Sequence, residues 1–488
     1  MRKTSLTVPG PRPLPVLGRA GNIILATLDP IGNAGKLFEA HGPIVSLAEG
    51  GRTRFYSPLS DCPGTVNVYG PELSGQVFNQ HEIYHRYPLT GQMYPVGEVP
   101  SRKAPLKHWG AGLMGLNGDI HRQHRRLMMP AFHKQRIELY YRTMVALTEE
   151  ILNNWKAGEG RDIQKEMMSL TRRIATQTLF GQDLPDGGDR IGRILQAMIK
   201  MAFAPLTVLL PFDLWGLPYR RFLDLAAQMD AEMRQIIVRK RAKGTDDGDL
   251  LSTLLTVQDA DGTRLTEDDL LGHLSLLFLA AHETCANTLT WTLFLLAQHP
   301  QVTADLLDEL RGVLKGNPPT VEQLSELPLL ERVVKESLRL LPPAPFGARI
   351  AMQATELGGY LIPSGTEIFV SLYHTHHMPE LYPEPECFNP NRWLAIDATS
   401  FEYIPFGGGP HMCIGGPFAM METKIVLAML LQRFRLQFVA GQRIDRSASF
   451  ILGPRQGMLM LAHAQDREFR RSVGNVRGNI HEMVELPN

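Results

Sequence analysis

The strongest helical pattern in the chain covers residues 266–299 and is almost wholly apolar at its centre. Thr266 followed by Asp269 is a helix-start signature, a hydroxyl cap with an acidic residue three positions on, and Pro300 closes the run. Between them lie Leu276, Leu277, Phe278, Leu279, Ala280 and Ala281, then Leu289, Trp291 and residues 293–297. A helix apolar all round is either a membrane span or the centre of a large core. His282, Glu283, Thr284 and Asn287 interrupt its middle, which favours a buried helix crossing the protein. A second helical stretch covers about 418–433. Strand-like runs are short and fall in two places: 43–47 with 65–69, and 348–351 with 367–371, with further candidates near Gln437 and over 458–461. The pattern predicts a mainly α fold with a small β-sheet region. It also predicts one large domain, because the strands must pair across the helical body. Residues 86–118 read as a Pro- and Gly-rich loop and 243–249 as a polar break. Residues 464–488 are polar and weakly periodic, so they are expected to form a surface arm, partly disordered and without a chemical role.

Charge and cysteine content narrow the function classes. Lys+Arg and Asp+Glu both total 50, which argues against a nucleic-acid binder, since phosphate contacts need a cationic excess. Cys62, Cys285, Cys387 and Cys413 lie far apart with no CxxC spacing, so neither a structural zinc site nor a disulfide scaffold is expected. Near the N-terminus the longest apolar run, 23–28, is too short for a signal or an anchor and follows the stiff segment of Pro9, Pro11, Pro13 and Pro15. A cytoplasmic protein without a membrane anchor is expected.

The candidate chemistry lies in residues 406–416, FGGGPHMCIGG. Consecutive glycines and a proline exclude helix and regular strand and let the backbone approach something flat or bulky. Cys413 follows, just before a helix start, where free N–H groups favour a thiolate. A lone thiolate among glycine N–H donors suits ligation of haem iron. A buried cysteine that merely packs before a helix is the competing reading.

With these residues in place, the sequence resembles the cytochrome P450 family. Phe406, Gly409, Cys413 and Gly415 match its haem-ligand loop in order and spacing, and His411 stands where a basic residue is usual. The resemblance implies that Cys413 is the axial thiolate and the iron ligand, and that His411 bonds a propionate. Glu336-Ser337-Leu338-Arg339 matches the family's ExxR helix, and Arg392 would complete a structural cluster. His121 and Arg125, one turn apart, and Arg349 match propionate-binding positions. His374, His376 and His377 lack carboxylate or thiol partners at ligand spacing, and His282-Glu283 does not continue to a second histidine at 286, so neither is expected to bind metal. The resemblance spans about residues 8–462. It implies a triangular, mainly helical fold holding haem b, with residues 1–463 as the haem domain and 464–488 as an extension.

In the same terms, Ala280 and Ala281 would leave room for dioxygen, Thr284 would donate a hydrogen bond to it, and Glu283 would relay protons. Ala281 replaces a usual Gly and Cys285 a usual Thr or Ser. The implied activity is insertion of one oxygen atom of O2 into a hydrophobic small molecule such as a fatty acid, terpenoid, steroid or polyketide. The expected pocket is Met114, Leu116, Phe203, Leu206, Phe278, Phe346, Phe450 and Ile451. No flavin or iron–sulfur segment is attached, so electrons are expected from a separate ferredoxin or flavodoxin and its reductase. Arg122, Arg126, Lys134 and Arg136 are the expected docking patch, on a monomer. Two other readings remain: a haem-thiolate isomerase, lyase or peroxide-dependent peroxygenase, and a non-enzymatic haem sensor.

Overall fold

The computed structural model describes residues 6–87, 101–181, 184, 188–202, 206–207, 210, 212–448 and 451–487. Its axis is the helix Glu267–Gln298, 32 residues long. The start signature forms as a reciprocal cap: the Thr266 hydroxyl accepts from the Asp269 N–H at 3.2 Å, and the Asp269 carboxylate accepts from the Thr266 N–H at 2.9 Å. Pro300 opens the next helix, Pro300–Leu314, because a proline N1 needs no intrahelical donor. The helices Ala104–Ala111, Ile163–Phe180, Pro328–Leu340 and Gly416–Arg433 pack along the central one. No helix among the described residues is long and apolar enough to cross a membrane.

Strands from the two ends of the sequence do share a sheet. Its five-strand order is Ile44–Ser46, Thr65–Val68, Glu367–Ser371, Phe346–Ala351 and Tyr84–His85. Thr65–Val68 runs parallel to Glu367–Ser371, with Val66 opposite Ile368, and the other pairs are antiparallel. Val66, Val68, Ile368 and Val370 are fully buried, as β-branched residues on a covered sheet should be. A second sheet joins Glu159–Asp162, Leu459–Ala464 and Phe434–Phe438. The large core gathers buried residues of the central, ExxR and cysteine helices together with those of the second sheet.

The expected surface arm, 464–488, is instead part of the folded body. Phe469, Val476, Ile480, Met483 and Val484 are all buried, the last four of them within the main core. Arg435 pairs with Asp466 at 2.6 Å, Arg446 with Glu482 at 2.8 Å, and the Glu485 N–H donates to Glu386 O at 3.0 Å. The apolar residues are spaced for single 3-10 turns at Phe469–Ser472 and Asn479–Glu482. Such turns carry no period of 2 or 3.6, so the segment does not announce itself in the sequence.

Candidate active site: a cysteine loop facing the central helix

The cysteine loop and the central helix line one cavity. The loop contributes Phe406, Gly407, Gly408, His411, Met412, Cys413 and Ile414. Its path depends on close backbone packing. Gly409 has φ +64°, and a Cβ there would lie 2.2 Å from the Phe78 carbonyl oxygen. The Cys413 N–H closes the loop on Phe406 O at 2.9 Å. Its thiol faces the cavity before the helix Gly416–Arg433 and accepts from the Gly415 and Gly416 N–H groups. Burial pushes this thiol up; those N–H groups and the charges of Arg86 and Arg125 act against burial without overcoming it.

One wall of the cavity is strongly cationic. Arg86, Arg125, Arg349, His121 and His411 all line it, and no carboxylate does so among the described residues. The rings of His121 and His411 are 3.8 Å apart. The Arg349 side chain lies over the Phe78 ring at 4.9 Å and donates to Ala348 O at 2.8 Å. Burial, with the charge of Arg86 next in weight, lowers its pKa to about 9. Burial, then the charges of Arg125 and Arg86, bring His121 down to about 4, and burial, then His121 and the charge of Arg349, push His411 down. The His411 Nε2 atom is buried without a hydrogen-bond partner. Such a cluster is costly unless an anion joins it. Two carboxylates on the edge of a flat macrocycle supply that anion, so the residues present fit a haem with its propionates against this wall and its iron at Cys413.

The opposite chemistry comes from the central helix, which presents Leu276, Leu277, Ala280, Thr284, Cys285 and Thr288. The Thr284 hydroxyl donates to Ala280 O at 2.8 Å, and Thr288 to Thr284 O at 2.9 Å. A hydroxyl has one proton, so Thr284 here offers the cavity an acceptor; it donates only after rotating off Ala280. Glu283 and Ala281 fall outside the lining, and burial raises the Glu283 pKa. Cys285 is buried beside the fully buried Glu422, whose carboxyl burial pushes up to about 8.

Behind the loop, Glu336 bonds Arg339 through both carboxylate oxygens at 2.8 and 3.0 Å. Arg392 Nε and Trp393 Nε1 donate to the same carboxylate at 2.8 and 3.0 Å. Arg339 also donates to His376 O at 2.9 Å and Pro385 O at 2.8 Å. The cluster thus ties the ExxR helix to the segment ahead of the cysteine loop. The neighbouring histidines do not converge on one point: His376 Nε2 accepts from the Ile404 N–H at 2.9 Å, and His374 bonds Ser371 Oγ at 2.7 Å.

Several expected site residues are placed differently. Met114 and Phe346 line the cavity; Leu116 and Ile451 do not. Phe278 is fully buried among Phe180 and His282, because residues 276, 280, 284 and 288 share a helix face that 278 and 282 do not. Leu206 is 57% exposed. Phe203 and Phe450 lie outside the described residues. The expected docking patch is also changed. Arg122 pairs with Asp119, Arg126 Nε bonds Asp259 at 2.9 Å, and Arg136 bonds Asp246 at 3.1 Å, so these cations are compensated locally; the Lys134 side chain lies outside the described residues. Arg86 and Leu113 line the cavity and Glu422 lies beside Cys285, and no motif in the sequence marks any of the three. Arg86 follows a strand of only two residues, Tyr84–His85, which brings it beside Arg349; a basic residue in a proline-rich loop is the only signal it leaves in the sequence.

Comparison with known proteins identifies the family. The family model described as Cytochrome P450 matches residues 8–461. The chain is 34% identical over 369 residues to cyclooctat-9-en-7-ol 5-monooxygenase of Streptomyces melanosporofaciens, covering 74% of this chain and 80% of that protein. It is 33% identical to cyclooctatin synthase of the same organism, over 89% and 91% of the two chains. The structure of a retinoic acid-bound cyanobacterial CYP120A1 superposes with a TM-score of 0.79 at 24% identity, over 94% of this chain and all of that one, and shows the same fold. The chain belongs to the cytochrome P450 family. It is a haem-dependent monooxygenase, an oxidoreductase that takes a substrate, O2 and electrons from redox partners.

Proposed function

We propose that this cytochrome P450 holds haem b and oxygenates a cyclic, largely hydrocarbon small molecule of the terpenoid class. The observation that carries the reading is that Cys413 and Thr284, from two separate elements, face one cavity whose lining is otherwise mostly apolar, with a cluster of basic side chains and no carboxylate among the described residues. Cys413 would ligate the iron, with the Gly415 and Gly416 N–H groups bonded to its sulfur. His121, His411, Arg86, Arg125 and Arg349 would hold the propionates. The bound haem would supply dioxygen activation and oxygen-atom transfer to a C–H or C=C bond. Thr284 holds a proton at Oγ1 beside Ala280, and Glu283, protonated more readily than an exposed carboxyl, carries protons toward that point from outside the lining. Leu113, Met114, Leu276, Leu277 and Phe346 keep water away and receive an apolar substrate. The terpenoid class is supported by that lining and by the relative named for cyclooctat-9-en-7-ol.

A monomeric, cytoplasmic enzyme served by a separate ferredoxin or flavodoxin and its reductase completes the reading. The test combines purified holoprotein, a generic ferredoxin system and a panel of cyclic terpenes, fatty acids and steroids. Terpene-dependent NADPH use with a hydroxylated or epoxidised product is expected. Product formation without reductant would replace this reading with the isomerase or peroxygenase one.

A further inference from the structure

On the central helix, Leu276, Leu277, Ala280, Thr284 and Thr288 line the cavity, and position 273 falls on the same helix face, one turn ahead of them. His273 is nevertheless fully buried and outside the lining. Its place in that stripe is covered by the segment that follows the helix Ala104–Ala111, and the same segment supplies Leu113 and Met114 to the cavity.

Two backbones meet at this crossing with no side chain between them. A Cβ on Gly112 would lie 2.6 Å from the Gly272 carbonyl oxygen, and a Cβ on Gly272 would lie 2.5 Å from His108 O and 2.7 Å from the Gly112 nitrogen. Glycine inside a helix costs stability relative to alanine, and here the close approach is its reason. Gly112 itself has φ −69° and ψ 161°, a torsion open to any residue, so it too is present for the space it leaves.

One side chain fastens the crossing. Leu113 is buried, and its backbone N–H donates to His273 Nδ1 at 3.2 Å. A backbone N–H can only donate, so Nδ1 is the bare nitrogen of a neutral ring and the proton sits on Nε2. Nε2 lies 3.0 Å from His124 Nδ1 and donates to it. His124 stands on the helix Gly118–Met128, which also carries His121 and Arg125 of the cationic wall. Burial pushes the His273 pKa down to about 3, which leaves the acceptor free for Leu113. The ring thus joins three elements: the central helix, the Leu113–Met114 wall and the helix of the cations. Without it, a buried N–H would lose its acceptor, which is costly enough to move the segment.

We propose that His273 is a positioning residue that sets where the substrate cavity ends, by holding the Leu113–Met114 segment across the central helix. The inference rests on reading that cavity as the haem and substrate site. His273 touches no reacting atom and acts through Leu113. It therefore discriminates among ligands by whether they extend far enough to meet this wall.

The test is binding of two azoles to the ferric haem-loaded protein, followed in the haem spectrum. Imidazole occupies the iron position alone, and 4-phenylimidazole extends an apolar ring into the cavity beyond it. His273→Leu removes the acceptor and keeps the site apolar; it should weaken 4-phenylimidazole several-fold and leave imidazole unchanged. His273→Asn, whose amide oxygen takes the place of Nδ1, should restore 4-phenylimidazole binding to near the wild-type value. If His273→Leu fails to fold, Gly112→Ala should give the same selective loss, because its methyl group pushes the segment off Gly272. Equal weakening of both azoles, unchanged 4-phenylimidazole binding, or an asparagine variant no better than the leucine one would overturn the proposal. Amide exchange over residues 112–116 reads the Leu113 bond without a haem ligand. It should be several-fold faster in His273→Leu and near wild type in His273→Asn, and exchange unchanged in His273→Leu would also overturn the proposal. A wild-type protein that shows this exchange pattern but binds neither azole would keep His273 as the anchor of the wall and fail the haem reading alone.

Discussion

The rings of His121 and His411 lie 3.8 Å apart, and the cations beside them in the cavity lining, Arg86, Arg125 and Arg349, meet no carboxylate there among the described residues. This arrangement is unfavourable in the protein alone and favourable with a dianionic ligand. Arg349→Met should therefore act with opposite signs on the two forms. Loss of a charged hydrogen bond, worth about 1.5–3 kcal/mol, should weaken haem retention roughly 10- to 100-fold in transfer to apomyoglobin. The haem-free protein should melt higher, because a buried unpaired cation has gone. A variant that retains haem as well as the wild type would remove Arg349 from the propionate site.

Glu336 accepts from Arg339, Arg392, Trp393 and the Asn389 N–H together. Glu336→Ala should cost about 3–5 kcal/mol, because it leaves buried guanidinium groups unpaired. Little haem-loaded protein should be recovered, and chemical denaturation should show the loss. Normal melting and loading would mean that the cluster does not hold the cysteine loop in place.

Thr284→Ala removes the hydroxyl bonded to Ala280 O from a helix whose propensity barely changes. Fold and haem content should survive. Product per NADPH should fall several-fold with peroxide released, less than the about 10²–10⁴ typical of acid–base roles, since water can stand in part for the hydroxyl. Glu283→Gln should instead slow oxygen consumption. Full coupling in Thr284→Ala, measured as product against NADPH, would shift the proton-holding role to Cys285 or Thr288.

What the sequence shows and what it hides have physical causes. The Thr266–Asp269 cap and the apolar run behind it are local, and the central helix follows from them. The cysteine loop is local too, and its glycines and Cys413 can be read directly. By contrast, Leu277 and Phe278 are equally apolar neighbours, and only tertiary packing sends one to the cavity and the other to the core. Arg86 is delivered by a two-residue strand with no pattern of its own. Asp259 and Asp246, which neutralise Arg126 and Arg136, lie more than a hundred residues away, so the basic helix looks more charged in sequence than in space.

The C-terminal segment supplies a stability test. Ile480 is fully buried in the main core, and Ile480→Ala should cost about 2–5 kcal/mol as a large-to-small core change, read from urea unfolding. A loose surface arm would lose almost nothing.

The central claim is that Cys413 carries the iron, and the carbon monoxide difference spectrum of the reduced protein tests it most directly. Wild type should show the red-shifted band of a thiolate-ligated haem, unchanged in Thr284→Ala. Cys413→Ala should lose that band even where haem is retained. A red-shifted band persisting in Cys413→Ala would contradict the assignment of the ligand and the oxygen chemistry built on it.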